Sequence, residues 1–224
     1  MTGSIEPSAL LRAGLERLSI PEPERVHQRT ETFLDELERW NPRFGLVKFT
    51  NRRELVVKHV LDSLAGWAAI RDALPPSGGA VLDVGSGAGF PGIPLSAAMP
   101  AVGFTLMERM ARRVSFLKTC AVLLGLPLLA VVQTDLSDAE GDYDVVTFRA
   151  VAPLSRFMQE IERSRVRGRT IVAYKGREDR AREEMDDVRR SRGTRWGFTL
   201  VALQPPFLEE ERCLVVAKRL LTNQ

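Results

Sequence analysis

Val81-Leu82-Asp83-Val84-Gly85-Ser86-Gly87-Ala88-Gly89-Phe90-Pro91-Gly92 is the stretch on which the fold of this chain turns. A short apolar run carrying one acid gives way to four glycines within eight residues, and an apolar segment of helical length follows. That order reads as a buried strand, a tight turn and the start of a helix. Glycine suits the turn because the backbone must bend with positive φ, and because a missing Cβ lets a ligand lie against it. The spacing is Gly-x-Gly-x-Gly, which differs from the Gly-x-Gly-x-x-Gly of dinucleotide enzymes. Asp83 stands two positions before the first glycine, and Glu108 ends the next apolar run, Phe104 to Met107. An acid at the tip of a second strand can accept hydrogen bonds from both ribose hydroxyls of an adenosine.

Outward from this stretch the chain alternates. Strands are expected at 80–84, 103–107, 128–133, 143–147 and 170–174, with helices at 91–99, 112–124 and 154–163 between them. A charged surface helix is expected over 177–190, and two closing strands at 199–203 and 212–218 meet through Pro205-Pro206. Alternating strands and helices imply an α/β fold with a parallel sheet, and the closing pair implies an antiparallel edge. Before Ala80 the pattern is helical. Helices are expected at 8–18, at 23–40 with a stop at Asn41-Pro42, and from Arg52 to about Leu74. Pro75-Pro76-Ser77-Gly78-Gly79 is the clearest linker. The chain therefore divides into an N-terminal helical extension, 1–74, expected to pack on the following domain, 75–224.

With 224 residues, 44% hydrophobic and 27% charged, the composition is that of an ordinary globular protein with a full core. Cys120 and Cys213 make neither a disulfide framework nor a metal cluster, and His27 and His59 are too isolated for a metal site. The first residues lack a basic start followed by an apolar core, so no signal peptide is expected. No run of about 18 apolar residues exists to span a membrane. A cytoplasmic location is expected. The net charge is only +3, yet basic residues cluster at Arg109, Arg112, Arg113 and Lys118 and again at Arg163, Arg165, Arg167 and Arg169. A local positive patch attracts phosphates whatever distant acids do, although each run alone also suits a solvated helix face.

The glycine loop and Glu108 together resemble the S-adenosylmethionine-dependent methyltransferases of the Rossmann-like class, built on a seven-stranded sheet. More narrowly, DVGSGAGFPGIP at 83–94 and TLMERMARRVSFLK at 105–118 resemble the bacterial GidB (RsmG) family. So do RWNPRFGLV at 39–47, KHVLDSL at 58–64, FRAVAPL at 148–154, YKGR at 174–177 and ERCLVVAK at 211–218. The resemblance covers nearly the whole chain in order. It implies methylation of a guanine N7 in small-subunit ribosomal RNA, with S-adenosylmethionine as cofactor, the RNA or the 30S subunit as partner, and a monomer. It places Asp83, Gly85, Gly87, Gly89, Phe90, Glu108, Leu136, Ser137 and Arg149 at the cofactor. Arg149, at the end of the fourth strand, is also the candidate catalytic residue. Arg112, Arg113 and Lys175 would bind RNA phosphates, and Asn41, His59, Asp62 and Arg212 would dock the helical extension.

The chain departs from the family pattern at three places. Asp135-Leu136-Ser137 stands where Arg-x-Glu is usual, Phe148 replaces the serine before Arg149, and Cys213 replaces a histidine. Two other readings stay open on the sequence: a methyltransferase of the same fold acting on a small molecule or protein, and a non-catalytic RNA-binding protein with a vestigial cofactor pocket. The intact glycine loop and Glu108 weigh against the second. No catalytic base is evident, which agrees with an acceptor nitrogen that already carries a lone pair.

Overall fold

The structure, a computed structural model, describes residues 5–192 and 195–220. Residues 1–4, on which the signal-peptide reading partly rests, lie outside them. The helical part comprises α1 (Pro7–Arg17), α2 (Pro23–Phe44), α3 (Arg52–Glu54), a π-helical segment (Leu55–Leu61), α4 (Asp62–Leu64) and α5 (Trp67–Arg71). The alternating part comprises β1 (Ala80–Val84), α6 (Gly92–Ala98), β2 (Gly103–Glu108), α7 (Ala111–Leu123), β3 (Leu129–Gln133), β4 (Glu140–Arg149), α8 (Leu154–Arg163), β5 (Arg165–Lys175), α9 (Glu178–Arg192), β6 (Trp196–Leu203) and β7 (Arg212–Arg219).

The seven strands form one sheet in the order β3-β2-β1-β4-β5-β7-β6. All neighbours are parallel except β7, which runs antiparallel to both β5 and β6. Chain order reverses between β1 and β4, so a crevice opens beyond their carboxyl ends. This is the Rossmann-like class I methyltransferase fold with an N-terminal helical extension. Side chains alternate across the sheet, as strand geometry requires. Val81, Phe104 and Val145 join one core with α2, α6 and α7, while Leu82, Met107 and Val146 join another under α8 and α9.

The first of these cores also holds the N-terminal helices. Phe33 of α2 meets Phe90 edge-on with ring centroids 5.2 Å apart, and Phe116 of α7 lies 6.2 Å from it. Burying one such ring is worth roughly 1.5–3 kcal/mol. Several element ends differ from the sequence expectation. Helix α2 does not stop at Asn41-Pro42 but runs on to Phe44, because Gly45, at φ 57, closes it with a bond from its N–H to the Asn41 carbonyl. Trp40 and Phe44 pack with centroids 5.1 Å apart across that last turn, which offsets the hydrogen bond that Pro42 cannot donate. The third helix is not one unbroken rod to Leu74. It widens into the π segment and breaks before α5, where a Cβ on Gly66 would lie 2.3 Å from the Tyr174 hydroxyl oxygen. Tyr174 fills that space and donates its hydroxyl to the Ser63 carbonyl at 2.6 Å. Strands β4 and β5 each begin several residues earlier than expected, because they pair with each other from Glu140 and Arg165 onward.

Candidate active site

A cavity of about 650 Å³ lies at the carboxyl ends of β1, β2 and β4 and continues between the loop after β3 and α8. Gly85 and Glu108 line it from the two strand tips, Leu136 and Ser137 from the loop after β3, and Arg149 from the tip of β4. Gly85 has φ 68, and a Cβ there would stand 2.8 Å from Val151, whose side chain leans over the turn. A residue with a side chain would be strained and would also crowd the cavity floor.

Glu108 is only 4% exposed, yet its carboxylate is well partnered. Oε2 accepts the Gly87 N–H at 3.0 Å and lies 3.4 Å from Arg113 Nη1, while Oε1 accepts the Met110 N–H at 2.9 Å. An ionised carboxylate has about four acceptor positions, two on each oxygen, so with three taken the remaining capacity is on Oε1. Gly87 thus serves the site by bracing Glu108; neither it nor Gly89 lines the cavity. Asp83 also lies beneath the loop and away from the cavity wall. It is fully buried, and its Oδ2 accepts the Gly92 N–H at 3.1 Å at the start of α6. Burial, opposed by hydrogen bonds and by Arg149, raises it to about 7. Phe90 is core: it packs on Phe33 and, with centroids 5.1 Å apart, on His59.

Arg149 is the centre of a buried polar cluster that joins the sheet to the helical extension. Its Nη1 donates to Asp62 Oδ2 at 3.1 Å and its Nη2 faces His59 Nδ1 at 3.0 Å. Arg212 of β7 lies against the other Asp62 oxygen at 3.2 Å. Burial lifts the Asp62 carboxyl above the usual range despite the pull of both arginines. Burial and Arg149 lower His59 to about 4, so the ring is neutral and its Nδ1 accepts from the guanidinium. The π segment carries His59 and α4 carries Asp62, an irregularity of the kind that recurs at functional sites.

The three expected phosphate-binding residues separate. Arg112 is exposed on the first turn of α7. Arg113 lines the cavity beside Glu108. Lys175 turns inward: its Nζ lies 2.6 Å from Glu184 Oε2, and its side chain is 13% exposed. The same Glu184 oxygen accepts the Leu154 N–H at 2.6 Å and so caps α8. Phe148, in place of the usual serine, stacks on Phe157 with centroids 3.7 Å apart, away from the cavity. Sequence reasoning missed Val151, Arg156 and Glu160 on the cavity wall and left Arg163 as one of a basic run. The signal for α8 was present, since 156, 160 and 163 share one helix face opposite Phe157, Met158 and Ile161. Arg165, Arg167 and Arg169 instead sit exposed along β5, where Arg165 faces Glu140 and Arg169 faces Asp144.

A family model described as "GidB: rRNA small subunit methyltransferase G" matches residues 26–194. The chain belongs to the GidB family. It is accordingly an S-adenosylmethionine-dependent methyltransferase. Among GidB relatives, the ribosomal RNA small subunit methyltransferase G of Treponema pallidum is 37% identical over 189 residues, 82% of this chain and 81% of that protein. That of Alkalilimnicola ehrlichii is 36% identical over 207 residues, 92% and 89% of the two chains. Solved structures share the fold at lower identity. Magnesium protoporphyrin IX methyltransferase from Synechocystis, with bound S-adenosylmethionine, superposes with a TM-score of 0.55 at 17% identity, over 97% of this chain and 100% of the other. A human methyltransferase 10 domain containing protein gives 0.57 at 12% identity, over 87% and 97%. The cavity suits the cofactor of a GidB enzyme, with acceptor capacity left on the Glu108 carboxylate, a floor without a Cβ at Gly85, and the apolar Leu136 on the loop after β3. Among the described residues no helix is long and apolar enough to cross a membrane.

Proposed function

We propose that this enzyme methylates N7 of a guanine in small-subunit ribosomal RNA, acting as a monomer in the cytoplasm on the RNA or the 30S subunit. Residues 75–224 bind the cofactor in this reading, and residues 1–74 brace Arg149. S-adenosylmethionine supplies a sulfonium methyl group. Glu108 takes the ribose hydroxyls, Leu136 and Ser137 flank the adenine, and the Gly85 turn allows close approach of the backbone. Arg149, held from behind by Asp62 and His59, presents its remaining donors at the tip of β4. There it orients the acceptor nucleotide.

The observation that carries the reading is the character of the cavity wall. Among the described residues it holds guanidinium groups and three carboxylates, each already accepting a hydrogen bond from the protein, and no histidine, lysine, cysteine or tyrosine. Guanine N7 carries an available lone pair, so no proton has to be removed before attack, and catalysis can come from positioning alone. The family match over residues 26–194 supports a ribosomal RNA substrate.

The test is direct. Small subunits from cells lacking this protein should accept one labelled methyl group, at a guanine N7, mapped by reductive ring opening and aniline cleavage. Arg149→Ala should abolish the label, because among the described residues no other cavity-lining guanidinium stands at the tip of β4. Label on an exocyclic amine, a ribose or a protein would sink the assignment. Full activity in the Arg149 variant would refute the placement of the acceptor.

A further inference from the structure

Five guanidinium groups line the cavity: Arg109, Arg113, Arg149, Arg156 and Arg163. Three have acidic partners nearby. Arg113 faces Glu108, Arg149 binds Asp62, and Arg156 Nε donates to Glu160 at 2.8 Å. Among the described residues, the side chains of Arg109 and Arg163 have no ion pair and no hydrogen bond. Surface arginines elsewhere are different. On α9, Arg180, Arg182, Arg189 and Arg190 each pair with an acid three or four positions away, so that helix neutralises itself.

The two unmatched charges come from opposite faces of the sheet. Arg109 follows the tip of β2 and leads into α7, whose apolar side belongs to the core shared with the N-terminal helices. Arg163 ends α8, whose apolar side belongs to the other core. It stands seven residues beyond Arg156, roughly 10 Å along the helix axis. The cavity is therefore lined by free cations from both sides of the sheet, Arg109 after the tip of β2 and Arg163 at the end of α8. The acids beside Arg113, Arg149 and Arg156 offset those charges, which leaves Arg109 and Arg163 as the places for phosphate.

We propose that Arg109 and Arg163 hold backbone phosphates on either side of the acceptor nucleotide. The RNA strand then passes over the cavity from α7 to α8, and a single base enters. The inference rests on the ribosomal RNA reading above. Guanine N7 lies on the major-groove edge, which is deep and narrow in an A-form helix, so the base has to leave any stack to reach a crevice at the strand tips. The fitting partner is a single-stranded or looped RNA segment.

Binding of small-subunit RNA transcribed in vitro, titrated with potassium chloride, tests this. Each phosphate contact to a single strand contributes about 0.7 to the slope of log K against log salt. Arg109→Ala and Arg163→Ala should each lower the slope by about that amount, and the double variant by about twice as much. Arg189→Ala, on the self-neutralised helix, should leave it unchanged, and cofactor affinity should hold in all of them. A wild-type slope in Arg163→Ala overturns the strand path, as does a loss of cofactor affinity, which would assign Arg163 to the nucleotide pocket. If the wild-type enzyme methylates the RNA while Arg163→Ala binds with an unchanged slope, the strand path alone fails. If the wild-type enzyme transfers no methyl group to small-subunit RNA, the substrate reading fails and takes this inference with it.

Discussion

Glu108→Ala separates two roles that converge on one carboxylate. Its oxygens accept main-chain N–H groups of Gly87 at 3.0 Å and Met110 at 2.9 Å. At about 1 kcal/mol per net hydrogen bond, truncation should lower folding stability by about 2 kcal/mol. If the same carboxylate also takes the ribose hydroxyls, cofactor binding should weaken by about 1.5–3 kcal/mol, the scale of hydrogen bonds to a charged group. That is about ten- to a hundredfold in Kd. Glu108→Gln keeps the shape and one acceptor oxygen, so it should regain part of the stability and little of the affinity. Urea unfolding without cofactor reads the first effect, and calorimetric titration with S-adenosylmethionine reads the second. A Glu108→Ala protein that is less stable but binds the cofactor with wild-type affinity would make Glu108 a brace for the glycine loop and nothing more.

Two further outcomes follow from the buried polar groups. His59 is lowered to about 4 by burial and Arg149, whereas the unfolded chain takes up that proton near 6.5. The unfolded state then binds more protons, so this group's contribution to stability falls as pH drops from about 6.5 to 4, by at most about 3 kcal/mol. Asp83 acts in the opposite sense: its folded value of about 7 exceeds the unfolded 3.8, so its contribution falls as pH rises between them. The difference in urea midpoint between wild type and His59→Asn isolates the histidine, and an unchanged acid-side profile would refute the neutral-acceptor role. Lys175→Met should cost about 2 kcal/mol by leaving Glu184 without its cation, with no change in the salt slope of RNA binding. A reduced slope would return Lys175 to the RNA surface.

Much of the fold was legible because its signals are local. Apolar period, the glycine cluster and the Pro75–Gly79 linker report on the residues that carry them, and the element order derived from them agrees with the sheet. Errors fell at element ends, where tertiary pairing prevailed. Gly45 and the Trp40–Phe44 contact carried α2 past Pro42, and pairing from Glu140 with Arg165 lengthened β4 and β5.

Sequence alone determined the α/β architecture, the strand-tip positions of Gly85, Glu108 and Arg149, and the family resemblance. Each depends on a short motif whose conformation is set within a few residues. Tertiary structure alone decided which charges are free. Asp62 and His59 reach Arg149 from 87 and 90 residues away, Lys175 finds Glu184 on the next helix, and Arg163 finds no partner among the described residues. A guanidinium or ammonium group looks the same in sequence whether its counter-ion is a buried carboxylate or an incoming phosphate. Only the packing of separate elements brings that counter-ion within reach or leaves its place open.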